Sequence, residues 1–227
     1  METKEQQAEL VKTARITGIW YLMLGITGML GFLLFHPQIF VSEDPAKTLE
    51  NLTQRELFAR GRVLLELGVV LSQALAAIWF YKLFRGINPV AALATGIWGT
   101  VNSVAIMVSA MSMGAAIKIA NGSAIGTESK VATIQILEQL SANSWGVGGI
   151  FFGLWLIPMG YTVVSSQRMP VWLGRILMVG GIGYILHTAV NYIGVSSDFV
   201  ELLVIPATIG EFWMIGYLLI FGIRPER

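Results

Sequence analysis

The chain has no cysteine and only two histidines, His36 and His187, among its 227 residues. The missing thiols exclude disulfides, iron–sulfur clusters, thiolate metal sites and a cysteine nucleophile. Charge is scarce too: Asp, Glu, Lys and Arg make up 13% of the sequence, against about 25% in an ordinary soluble domain. The net charge of +1 gives no basic field to draw nucleic acid, and no arginine-rich arm or zinc-finger spacing supplies one locally. A glycine-rich phosphate loop, a metalloprotease helix motif and a nucleophile elbow are also missing. An enzyme is therefore the least supported class. No cofactor or metal site is indicated.

Apolar residues are what the chain has in quantity. They form 55% of it, and the mean hydropathy is +0.67. They gather into six stretches, 16–35, 63–81, 90–117, 145–164, 172–193 and 202–223. At ~1.5 Å per residue each can cross roughly 30 Å of hydrocarbon. The predicted fold is all-α: a polytopic membrane protein, one domain of six transmembrane helices, with short interfacial helices in the two longer loops. One such helix starts at the signal Ser42-Glu43-Asp44-Pro45 and runs to Arg60, with Leu49, Leu52, Leu57 and Phe58 as a ragged apolar face. The other covers 131–140. Residues 1–15 form a polar lead-in with no apolar h-region or cleavage site, so the first span is expected to stay as an anchor. The tail, 224–227, is charged and short.

Six spans put both termini on one side. Lys4, Lys12, Arg15, Lys82, Arg85, Arg168, Arg175, Arg224 and Arg227 fall there, against Lys47, Arg55, Arg60, Arg62, Lys118 and Lys130 opposite. The positive-inside rule then predicts cytoplasmic termini in a plasma membrane. Glycines at 18, 25 and 28, and at 146, 149, 153 and 160, form near-helical stripes that let another backbone approach. Pro206 is expected to kink the start of the sixth span.

Polar groups inside apolar spans are costly and face the interior of a bundle. Tyr184, His187 and Asn191 share one face of the fifth span, and Arg62, Glu66 and Gln73 share one face of the second. Asn102 and Glu211 lie near the middle of the third and sixth spans. A charged carboxyl at the depth of Glu211 costs about 2.5–3.5 kcal/mol, so it must be protonated, paired or wetted. His187 has three readings: interhelical hydrogen-bonding, proton handling through a pKa ordinarily near neutrality, or ligation of a haem or metal with His36. Arg62 either snorkels to the headgroups with Glu66 as its counter-ion, or belongs to an internal polar site.

The order of several short motifs resembles a known family. Ala14-Arg15-Ile16-Thr17-Gly18 opens the first span, and Phe152-Gly153-Leu154 with Gly160-Tyr161 marks the fourth. Pro170, Leu173-Gly174 and Gly183-Tyr184 follow in the fifth, then Pro206 and Ile209-Gly210-Glu211 in the sixth. Together, from Ala14 to Gly222, they resemble the bacterial integral membrane proteins of domain-of-unknown-function family 4386. The resemblance implies a multi-pass membrane protein and carries no activity or catalytic residue with it.

The leading functional expectation is a bundle that binds or transports a small polar ligand or proton through a pocket in its outer half. Arg62, Glu66, His187, Asn191 and Glu211 would build that pocket, with Asn102 and Tyr184 orienting the ligand. The alternative is an accessory or sensory subunit whose polar residues only hold helices together. The expected partners are the lipid bilayer, a small-molecule ligand, and a second copy or another membrane subunit.

Overall fold

The structure, a computed structural model, describes residues 3–41, 43–195 and 197–225. The first two residues of the polar lead-in, Ser42 of the helix-start signal, Ser196 and the final Glu226 and Arg227 lie outside the described residues. Among the described residues seven helices follow in order: α1 Lys4–Ile39, α2 Pro45–Gln54, α3 Glu56–Phe84, α4 Pro89–Asn121, α5 Thr127–Ser166, α6 Val171–Tyr192 and α7 Asp198–Ile220. All but α2 are long and apolar enough to cross a membrane. The protein is all-α, as its hydropathy requires, and no strand occurs among the described residues.

Local chemistry sets the helix ends. Asp44 Oδ1 accepts from the Lys47 backbone N–H at 2.9 Å and Pro45 takes the first turn, so α2 starts where the sequence predicts. Arg55 leaves helical geometry at φ −119° and ψ 39°, which ends α2 at Gln54 and lets α3 begin at Glu56. The single helix expected over 45–60 is therefore divided. Leu52 from its apolar face is buried, whereas Leu57 is exposed. Asn88 Oδ1 caps α4 by accepting from Ala91 N–H at 3.0 Å.

The helical stretch expected at 131–140 is present as the early turns of the 40-residue α5. No glycine or proline separates it from the apolar run that starts at Trp145. Pro206 lacks an N–H, and the chain before it tightens into a 3-10 turn, Leu202–Val204, between two α-helical parts of α7. Residues Leu30–Phe35 of α1 are π-helical, a local widening often found beside functional residues.

The residues divide into two compact units. The first comprises Met1–Leu22, Ser72–Asn102 and Val147–Arg227. Its helices α5 and α6 pack backbone to backbone. A Cβ on Gly153 or on Gly181 would drive into the other's carbonyl oxygen, and Gly160 and Gly174 repeat the relationship two turns along. Gly180 and Gly183 give the same closeness to Ala207 and Leu203 of α7. Gly153 and Gly160 of the stripe read from the sequence lie on this contact surface. At one end, Arg168 Nε donates to the Arg224 carbonyl at 2.6 Å, and an Nη donates to Gln7 Oε1 at 2.9 Å.

The second unit comprises Met23–Leu71 and Ser103–Gly146. Its apolar core gathers Ile39, Phe40, Leu52, Met113, Ile117 and Ile134. Polar side chains tie α2 to the end of α1: Asn51 Nδ2 donates to the Ile39 carbonyl at 3.1 Å, and Thr48 Oγ1 accepts from Val41 N–H at 2.9 Å.

Candidate functional site

Arg62 and Glu66 sit one turn apart on α3, inside the second unit. Arg62 Nη1 donates to Glu66 Oε2 at 2.7 Å, and the two side chains are 1% and 0% exposed. Arg62 is turned inward and does not snorkel. Glu66 Oε1 accepts twice more, from Ser109 Oγ at 2.5 Å and from Trp145 Nε1 at 2.7 Å. Ser109 has then used its proton, so Ser141 is the donor in the 2.7 Å contact between the two hydroxyls. One carboxylate thus collects donors from α3, α4 and α5.

The fourth wall is the π-helical part of α1. The Arg62 guanidinium lies 4.8 Å from the centre of the Phe32 ring, a cation–π contact. Phe32 meets Trp145 edge-on at 4.6 Å and His36 at 5.8 Å. Gly31 lets Arg62 in, since a Cβ there would stand 3.2 Å from Nη1. Arg62 Nε and His36 Nδ1 are buried with no partner among the described residues. Burying such a donor is costly in a protein surrounded by hydrocarbon.

The remaining predicted residues fall in the first unit. Glu211 on α7 accepts from Tyr21 Oη of α1 at 2.7 Å. The buried Tyr21 ring is packed edge-on against Phe80 and Trp155 at 5.4 and 5.1 Å. Tyr184 meets Phe152 edge-on at 5.0 Å. His187 stands between Glu201, 3.3 Å from its Nε2, and Asn191, whose Nδ2 is 3.2 Å from the same nitrogen. Glu201 and Asn191 are exposed, so this trio sits at the surface of its unit. Asn102 is buried.

Sequence reading found Arg62 with Glu66 and His187 with Asn191, since both pairs are four residues apart on one helix. It missed Ser109, Ser141, Trp145 and Phe32 around Glu66, and Tyr21 beside Glu211. Hydroxyls and indoles are common in apolar spans, and nothing local marks the few that meet a carboxylate.

The class of protein is defined at this point: an integral membrane protein of six apolar helices with a buried ion pair held by hydroxyl and indole donors. Residues 16–222 match the family described as "Domain of unknown function (DUF4386)", and the chain belongs to that family. A protein of Archaeoglobus fulgidus, described as an "Uncharacterized protein", is 29% identical over 69 residues. That match covers 30% of this chain and 43% of the relative, less than half its length. No solved structure matches the chain.

Proposed function

We propose that the protein binds a small polar solute at the Arg62–Glu66 site of the second unit, as part of solute or proton passage across a plasma membrane. One observation carries this reading: a guanidinium that is 1% exposed, among apolar helices, with its Nε–H unpaired among the described residues. Glu66 neutralises the charge, so the open valence is a donor without a net field. It suits a solute that presents an acceptor oxygen, carbonyl or carboxylate. The π-helical turn beside Arg62 supplies an element whose register can shift to admit one. Glu211 and His187, with Asn102, Tyr184 and Asn191, are the groups of the first unit that would handle a proton or orient a solute. Cytoplasmic termini, from the loop charges, put the Arg62 end of α3 on the outer side.

The test is a thermal-shift screen of the purified protein against carboxylates, amides and phosphate, run beside the double variant Arg62→Met/Glu66→Leu. At least one solute should raise the melting temperature of the wild type and leave that of the variant unmoved. A panel that shifts both alike, or neither, contradicts the proposal and favours the accessory-subunit reading, in which the network only joins helices.

A further inference from the structure

Among the described residues of the first unit, Gln73 is the side chain whose whole amide is stranded. It is 0% exposed, and neither Oε1 nor Nε2 has a hydrogen-bond partner among the described residues. It lies on the fully buried face of α3 with Ala76, Ala77, Phe80, Leu83 and Phe84, all of them apolar. An amide in such a place is costly if it stays dry, because both its donor and its acceptor have left water without a partner. An apolar residue of the same size would avoid that cost.

The surroundings of Gln73 continue the pattern. A Cβ on Gly99 of α4 would stand 2.8 Å from Ala77 Cβ and 3.0 Å from Trp155 Nε1, so the three meet at one point. That indole nitrogen is also buried without a partner. Gln73 is one turn from Ala77 in α3, and Asn102 is one turn from Gly99 in the antiparallel α4. Helical rise brings the two amides to within about 2 Å of the same level. On its other side Trp155 packs against Tyr21, which donates to Glu211. Polar groups therefore follow one another from Glu211 through Tyr21 to Trp155, and on toward the level of Gln73 and Asn102.

We infer that this line is a polar track which water enters in a second conformation, with Gln73 as a binding position for water or another small neutral donor–acceptor molecule. In the conformation described here the track is closed: the packing at Gly99 leaves no space beside the indole N–H, and Gln73 is sealed. The stranded amide is then the feature that a permanently closed core would not keep. The inference does not depend on a solute at Arg62 and Glu66: it shares Glu211 and Asn102 with the proposed function, but its test reads Gln73, which that reading does not use.

The absence of cysteine makes the test clean, because an introduced thiol is the only one. Gln73→Cys and, as controls from the same sealed face, Ala76→Cys and Leu83→Cys are each treated with 2-sulfonatoethyl methanethiosulfonate in folded, detergent-solubilised protein. The reagent needs a hydrated thiolate, so Gln73→Cys should react at least about tenfold faster than either control. Equal inertness at all three positions overturns the inference. Gln73→Met supplies a reading that needs no thiol: the melting temperature falls if the amide is wetted in solution, and a rise overturns the inference.

Discussion

Glu66 receives Trp145 Nε1 and Ser109 Oγ on one carboxylate oxygen and Arg62 on the other, at 2.5–2.7 Å, with its side chain fully buried. Trp145 also holds the edge of Phe32, and the face of Phe32 holds Arg62. Arg62 and Trp145 are therefore linked twice, once through the carboxylate and once through the ring. Loss of one member disturbs the others.

Removing Arg62 alone leaves a buried carboxylate without its cation. Arg62→Met should cost about 3–5 kcal/mol, while Arg62→Met/Glu66→Leu should recover most of that loss or exceed the wild type. Thermal unfolding of the three proteins in one detergent checks this. Equal destabilisation by the single and double variants would contradict it.

Tyr21→Phe removes the hydroxyl that Glu211 accepts and leaves the packing of the ring in place. A loss of about 1–3 kcal/mol is expected, the range for an unsatisfied buried acceptor. Adding Glu211→Leu should return much of it, because the acceptor goes too. A thermodynamic cycle over the four proteins measures the coupling, and an additive cycle would remove the hydrogen bond from the account.

Two classes of glycine make opposite predictions. Gly153→Leu forces α5 and α6 apart and should abolish folding or lower the melting temperature sharply. Gly216→Ala meets nothing within 4 Å, so it should be neutral or gain up to about 1 kcal/mol from helix propensity. Size-exclusion profiles and melting curves separate the two outcomes.

The proposed orientation predicts that a green fluorescent protein fused after the last residue fluoresces in cells, and that alkaline phosphatase fused there stays inactive. The reverse pattern would turn the protein over in the membrane and place Arg62 at the inner side.

Span number and type were legible because length and hydropathy alone decide them: about 20 predominantly apolar residues leave a chain few alternatives. The Arg62–Glu66 pair was legible for a similar reason, since helical geometry brings residues four apart together whatever surrounds them. The glycine stripe on α5 was readable as a contact face, although its partners Gly174 and Gly181 were not. Tyr21 with Glu211, 190 residues apart, and Ser109 with Glu66 depend on how each helix is turned about its axis. A uniformly apolar helix carries little signal for that rotation. The boundary between α2 and α3 escaped for another reason: Arg55 has good helix propensity, and nothing in the local sequence marks its break in backbone geometry.

The central claim is that the Arg62 guanidinium holds an acceptor group of a solute. The measurement that tests it most directly is a structure in lipid nanodiscs, at a resolution that distinguishes water from larger molecules, with the solute that raised the melting temperature. The account predicts density larger than water within hydrogen-bonding distance of Arg62 Nε. Density for water alone, or a guanidinium closed off by protein on every side with the solute present, would contradict it.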